Sequence, residues 1–302
     1  MVYLYKPHFE EDSMKRTIRT FVIALLITAA TVAQAGVIYS ARVQTELYGE
    51  AAQQQQQNPM LQQMMEPQEM KVFAQDKGAR IKFLSDSILY KKGDFMVTEG
   101  GKLMYICDPQ AKTYHKLDLN ALQGQAQGMM KTMTKMTKMS YSNVFVNIVD
   151  KGNAGSVAGY PVKKYRLLVE YDTNMKILFK KIKTHERREF FIYVTPKLSM
   201  DLVPKYNDSQ MFTTGVAQVD SQIQSKLKGL GFPMKTEQLS YGKNNELTSK
   251  STFEITSINE KSLNPALFKL PNGYTEKEIQ VEGTDSEGNT QKHKFKMGDL
   301  FK

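Results

Sequence analysis

A mainly β fold of the α+β type is predicted for this chain of 302 residues, with one long antiparallel sheet interrupted by two amphipathic helices. Three features predict it. From Lys71 onward, short segments alternate apolar and polar residues and are punctuated by Gly, Pro, Asn and Asp. Two longer segments, 119–139 and 208–231, change to the helical period. No internal repeat of fixed length is present, which argues against a propeller or solenoid.

At the N-terminus, Met14 opens an export signal. Lys15, Arg16 and Arg19 form its positive region, residues 21–30 its apolar core, and Ala33-Gln34-Ala35 a small-x-small cleavage site before Gly36. The apolar run is too short for a span of about 20 residues, and is quickly followed by Gln34 and the alternating "VIYSARVQ". An uncleaved N-terminal anchor is the alternative. Residues 1–13 make a poor n-region, so segment 1–35 is read as an extension plus signal peptide cleaved after Ala35, and the destination as periplasmic or secreted. The residue immediately after the cleavage site is Gly36 and not a cysteine, which argues against a lipidated N-terminus.

Residues 36–275 are then expected to form one domain with its own core. Within it, residues 50–70, "EAAQQQQQNPMLQQMMEPQEM", read as a Gln/Met-rich flexible insertion or partly helical flap. "KVFAQDKGARIKFL" predicts a hairpin turning at Gly78, with Ala79, Ile81 and Phe83 on one face and Arg80 and Lys82 on the other. "DFMVTEGGKLMYICDPQAKTYHKLD" adds turns at Gly100-Gly101 and Asp108-Pro109.

Around a helical wheel for 119–139, Leu119, Leu122, Ala126, Met129, Met133 and Met136 share an arc opposite Lys131, Lys135 and Lys138. The methionines thus continue a leucine stripe. Three readings stay open: a core helix, a pliable lid, or a copper(I) site built from Met130, Met133, Met136 and Met139 at repeated Met-x-x-Met spacing.

Strands resume with "NVFVNIV", "GYPVKKYRLLVEYD", "KILFKKIK" and "REFFIYVT". In the second of these Tyr165, Leu167 and Val169 alternate with Lys164, Arg166 and Glu170, so one face is wet. A second helix is expected from an N-cap at Asp208 to a stop at Gly229/Gly231, with Phe212, Val216, Val219, Ile223, Leu227 and Leu230 as its stripe. In "ELTSKSTFEITSI" Phe253 and Ile255 face inward. Residues 276–302 read as a polar C-terminal hairpin turning at Glu287-Gly288-Asn289.

The net charge is +10. In an exported protein this favours an anionic membrane surface or an acidic envelope partner over nucleic acid, with a merely solvated basic surface as the alternative. "KILFKKIKTHERR" is the densest basic stretch. Cys107 is the only cysteine, so no intramolecular disulfide is available. Cys107 and His115 flank one turn, but no third group is in sight to orient the histidine, and a buried structural thiol is the simpler reading. There is no Gly-x-Ser-x-Gly, no phosphate-binding glycine loop and no His or carboxylate spacing for a metal. The expectation is a protein without enzymatic activity or cofactor.

In order, "DKGARIKF", "YICDPQAKTYHKLD", "VAGYPVKKYRLLV", "FFIYVTPKL", "GFPMKTE" and "LFKLPNGY" resemble an uncharacterised family of bacterial envelope proteins with a LolA-like fold, in the superfamily of lipoprotein carriers. The resemblance covers most of residues 71–274. It departs at Tyr193, where the family pattern has tryptophan. It implies a strongly curved antiparallel sheet of about eleven strands, a half-open barrel with two helices across its concave face.

Such a concave apolar face must be covered by a lid or filled by a ligand. Its expected lining is Ile81, Phe83, Phe95, Val97, Tyr165, Leu167, Val169, Phe253 and Ile255, with Met129, Met133, Met136, Val219 and Ile223 facing it as a lid. The function expected is binding of a lipid, acyl chain or lipidated protein. A structural or interaction protein with a filled cavity and the methionine-based copper(I) binder are the alternatives.

Overall fold

The residues described by the computed structural model are 36–295, apart from 58–61, 64, 76–77, 88–89, 100–102, 119–123, 125–137, 178–179, 200–201, 203–211, 243, 278 and 285–289. Gly36–Lys302 makes one compact unit. In chain order its elements are β1 (Gly36–Leu47), α1 (Gly49–Gln57), β2 (Gln68–Gln75), β3 (Gly78–Phe83), β4 (Phe95–Glu99), β5 (Leu103–Asp108), β6 (Thr113–Asp118), β7 (Ser140–Val157), β8 (Tyr160–Ile177), β9 (Lys180–Thr195), α2 (Ala217–Leu227), β10 (Phe232–Tyr241), β11 (Leu247–Lys261), β12 (Thr275–Glu276), β13 (Ile279–Thr284) and β14 (Thr290–Phe295).

Twelve strands form one open sheet in the order β12-β6-β5-β4-β3-β2-β1-β11-β10-β9-β8-β7. All neighbours are antiparallel except β12, which runs parallel to β6. This is the mainly β, single-sheet architecture that the alternating segments predict. The strand beyond the expected count of about eleven is the two-residue β12. β13 and β14 pair with each other in a separate two-stranded sheet, so the tail is a hairpin whose connection is 285–289.

Local chemistry explains the turns. Val157 pairs with Tyr160 across Ala158 and Gly159, both at positive φ (47° and 84°), the twist that a two-residue hairpin requires. Asp108 ends β5 by accepting at Oδ1 from the Gln110 and Ala111 amides at 2.8 and 2.9 Å. Gly78 is not at the turn, as its sequence context suggests. It is the first residue of β3, paired with Gln75, and a Cβ there would stand 2.7 Å from Phe268 Cγ. The glycine is needed for the close approach of the C-terminal segment, not for a backbone bend.

The expected helix from Asp208 starts later, and residues 208–211 lie outside the described set. Gly215, at φ +82°, breaks helical continuity, and α2 begins at Ala217 with no side-chain cap on Val216. Asp220 serves instead: its carboxylate accepts from the Thr214 amide and hydroxyl, each at 2.7 Å, and from the Gly215 amide at 3.2 Å. The stop is as expected, with Gly229 at φ +82° just past the Lys228 C-cap. The Gln/Met tract is helical over residues 50–57, within α1, and its last three residues, from Gln68 onward, belong to β2.

Candidate ligand-binding face

Strand register traces one face of the sheet from β3 to β8. Ile81 stands opposite Val72, and Val72 opposite Tyr39. Beyond a bulge at Ser40/Ala41, Ala41 meets Ile255 and Val43 meets Phe253. Phe253 meets Thr236, Thr236 meets Ile192, and Ile192 meets Tyr165. Directly paired residues share a face and alternate residues return to it. Ile81, Phe83, Tyr165, Leu167, Val169, Phe253 and Ile255 therefore lie on one side of the sheet, hereafter the Ile81 face.

Phe95 and Val97 do not, and this corrects the expectation of a single lining. Phe95 pairs with Lys82 and Val97 with Arg80, which places them on the opposite side, the Phe95 face. There they are buried with Tyr105 and Cys107 beneath Leu270 and Tyr274. The Arg80 guanidinium lies 3.7 Å from the centroid of the Phe95 ring. Residues 95–97 are apolar on both parities, and Met96, the residue between them, takes the Ile81 face opposite Ile81 itself.

The Ile81 face carries two buried clusters. One gathers Ile81, Phe83 and Ile255 with Val37, Tyr39, Val72, Met96, Met104, Phe232 and Met234, and Phe253 is partly buried against it. The other joins Leu167 and Val169 to Phe190, Ile192 and the α2 side chains Val219 and Ile223, with Tyr165 at its margin. Leu167, Val169, Val219 and Ile223 are each 0% exposed. Burial of each such side chain contributes about 1.5–3 kcal/mol. α2 is thus packed on β7–β9 through the two residues of its stripe expected to face the sheet. Phe212 and Val216 join the same cluster from the segment leading into the helix.

Sequence alternation missed Met96, Met104, Phe232 and Met234. Only strand pairing brings them to the lining, although "VIYSARV" already alternates in the required sense for Val37, Tyr39 and Ala41.

Met129, Met130, Met133 and Met136 lie outside the described residues. Lys138 adopts φ +46° in a turn, so a helix over 119–139 does not continue to Met139. Met139 Sδ accepts a hydrogen bond from the Tyr141 hydroxyl at 3.0 Å.

The Phe95 face is polar toward β8–β10. Lys164 sits over the Phe191 and Tyr193 rings at 4.4 and 5.0 Å, and Lys235 over Tyr193 at 5.7 Å. Buried Glu189 is held by Arg166 and by the Tyr241 hydroxyl at 3.2 Å. Asp172 accepts from Asn143 Nδ2 at 2.6 Å, stands 2.9 Å from both Lys183 Nζ and His185 Nδ1, and has its carboxyl held below the usual carboxylate range chiefly by Lys183, with His185 and Asn143 adding to it. Arg187 stands 3.5 Å from Glu170, an ion-pair contact without hydrogen-bond geometry.

Cys107 pairs with Tyr114, and His115 with Ile106, so the thiol and the imidazole point to opposite faces. Burial pushes the thiol up to about 11. Among the described residues no group of three or more His, Cys, Asp or Glu is placed to hold a metal ion, and no helix is long and apolar enough to cross a membrane. No family model matches the chain, and no curated protein matches it.

Proposed function

We propose that this is an exported cell-envelope protein, not an enzyme, that binds a lipid, an acyl chain or a lipidated protein on the Ile81 face. On this proposal the open sheet curves into a half-barrel of the LolA-like kind, with α2 lying across its concave side. One observation carries it: a single face followed by register through seven strands from β3 to β8, apolar in two buried clusters that meet at Thr236 on β10, with an amphipathic helix laid over one end. A single sheet needs a cover on such a face, and α2 accounts for the part over β7–β9. Tyr165, Leu167 and Val169 would take the chain at one end when α2 moves, and Ile81, Phe83, Phe253 and Ile255 at the other once their own cluster, in which Ile81, Phe83 and Ile255 are already buried, opens.

Burying a 14-carbon chain at about 0.8 kcal/mol per methylene gives roughly 10 kcal/mol gross, enough for micromolar binding after ordering costs. Export is supported by the cleavage motif at Ala33-Gln34-Ala35 together with a compact unit that begins at Gly36. Intact mass of the envelope fraction checks the processing step, and a retained segment 14–35 would assign the protein to the anchored class.

The complete burial of Leu167, Val169, Val219 and Ile223 favours a second reading, a structural protein whose face is filled by its own helix. Native mass spectrometry of protein purified without detergent, beside a fluorescent fatty-acid titration, separates the two. A bound lipid adduct and saturable probe binding are expected. A folded protein showing neither would leave the structural reading.

A further inference from the structure

We propose that this protein forms a two-fold symmetric dimer by pairing the outer edges of two β7 strands. The proposal is independent of the acyl-binding reading. β7 closes one end of the twelve-stranded sheet, and no described strand lies beyond it. The opposite end is closed by β12, a strand of two residues, which leaves little edge to pair.

Regular pairing of β7 runs from Phe145, opposite Glu170, to Asp150, opposite Tyr165. Register shifts bound this window on both sides, between Ser142 and Phe145 and again between Asp150 and Asn153. Asn143, at φ +53°, lies in the first of them and donates from Nδ2 to Asp172 at 2.6 Å. Inside the window, Phe145–Val149 reads Phe-Val-Asn-Ile-Val, without the charges or proline that keep sheet edges apart. Phe145 and Val149 are the exposed large hydrophobic residues among those described, at 48% and 37%. Both stand on the Phe95 face, with exposed Asn147 between them. Val146 and Ile148 turn to the Ile81 face and join the cluster beneath α2.

A second copy fits this edge because the segment is self-complementary. With the two-fold axis at Asn147, antiparallel pairing sets Phe145 against the partner's Val149 and Val146 against the partner's Ile148, and symmetry makes each contact twice. Asn147 meets the partner's Asn147, amide to amide. Moving the axis to Val146 would set Phe145 against Asn147 and Val149 against Asn143. Moving it to Ile148 would set Phe145 against Lys151 and Val146 against Asp150. Of these registers only the one centred on Asn147 matches apolar with apolar on both faces. A strand of unrelated sequence would satisfy the backbone groups but would leave this match unused. The pairing consumes the same edge of both copies, so assembly stops at two.

Five residues per copy make a small interface, and a weak dimer with a dissociation constant of roughly 10–100 µM is expected. Sedimentation velocity from roughly 1 to roughly 500 µM reads it, with every protein in the same processed form fixed by intact mass. Phe145→Lys/Val149→Lys removes both apolar contacts and sets like charges across the seam, and should weaken the dimer at least about 100-fold. Both side chains are exposed, and thermal unfolding checks that the variant stays folded. A second measurement reads the register. Cα atoms at position 147 would stand about 4.5–5.5 Å apart, within disulfide reach, so Asn147→Cys should cross-link when treated with diamide. Lys151→Cys, about 26 Å from its counterpart at about 3.3 Å per residue, should not. Buried Cys107 is common to both variants. A parent that stays monomeric at about 500 µM or grows beyond a dimer would overturn the proposal. So would a lysine variant that dimerises like the parent, or cross-linking at Asn147→Cys no faster than at Lys151→Cys.

Discussion

Ile223→Ala asks whether α2 is seated on the sheet and whether a ligand must displace it. Ile223 is fully buried in one cluster with Leu167, Val169 and Phe190. The substitution deletes three carbons, about 2.4 kcal/mol at about 0.8 kcal/mol each. A residual cavity of roughly 60 Å³ at about 24 cal/mol per Å³ adds about 1.4 kcal/mol. Alanine is the better helix former and returns about 0.4 kcal/mol. The net loss is about 3.4 kcal/mol, a fall in melting temperature of roughly 10 °C for a domain of this size. Urea denaturation followed by circular dichroism measures it. If an acyl chain takes the place of α2 on the Ile81 face, the loosened contact lowers the displacement cost, and a fluorescent fatty acid should bind tighter by as much as about 300-fold. Stability and affinity then move in opposite directions. A loss below about 1 kcal/mol would refute the packed position of α2. Unchanged or weaker probe binding in the destabilised variant would refute displacement.

Gly231, at φ +112°, leads into β10, and a Cβ there would lie 2.6 Å from the Thr195 carbonyl oxygen, so Gly231→Ala should cost more than about 2 kcal/mol in urea denaturation. Gly229, at φ +82° with open space around it, should cost only about 1–2 kcal/mol when replaced by alanine. Because its carboxyl is held low in the folded state, Asp172 contributes stability that is fully present above the unfolded carboxylate value of about 3.9 and is lost as pH falls below it. Denaturation midpoints of Asp172→Asn and the parent should therefore differ most at neutral pH, with the gap narrowing progressively as pH falls below about 3.9; a constant gap would remove the charge argument. Cys107, buried and pushed up to about 11, should resist iodoacetamide at about pH 8 in the native protein and react fully in urea, as read by intact mass.

Sequence alone determined the period of each segment. Alternation in "KKYRLLVE" separates Lys164, Arg166 and Glu170 from Tyr165, Leu167 and Val169 because each strand there has one wet and one dry side. The same logic is silent for "FMV" at 95–97, where both faces of the strand are buried and parity carries no signal. Only pairing with Lys82 and Arg80 decides that Phe95 and Val97 turn away from Ile81. Long-range partners are equally hidden: β1 lies between β2 and β11, and nothing local in "VIYSARVQ" specifies a neighbour some two hundred residues away.

Glycine shows the same division. Gly229 ends its helix through its own backbone freedom, a local property that sequence carries. Gly78 is fixed by Phe268, a contact made only once the C-terminal segment crosses the sheet. Apolar spacing continues through Phe212 and Val216 ahead of α2, while Gly215 takes a left-handed conformation that no helix accommodates, so the helix begins later than its spacing predicts. Spacing, turn chemistry and charge density are properties of neighbours along the chain, and sequence determined those. Which apolar residues share a face and which helix covers the sheet depend on strand register, and register is decided by the burial of the whole sheet at once.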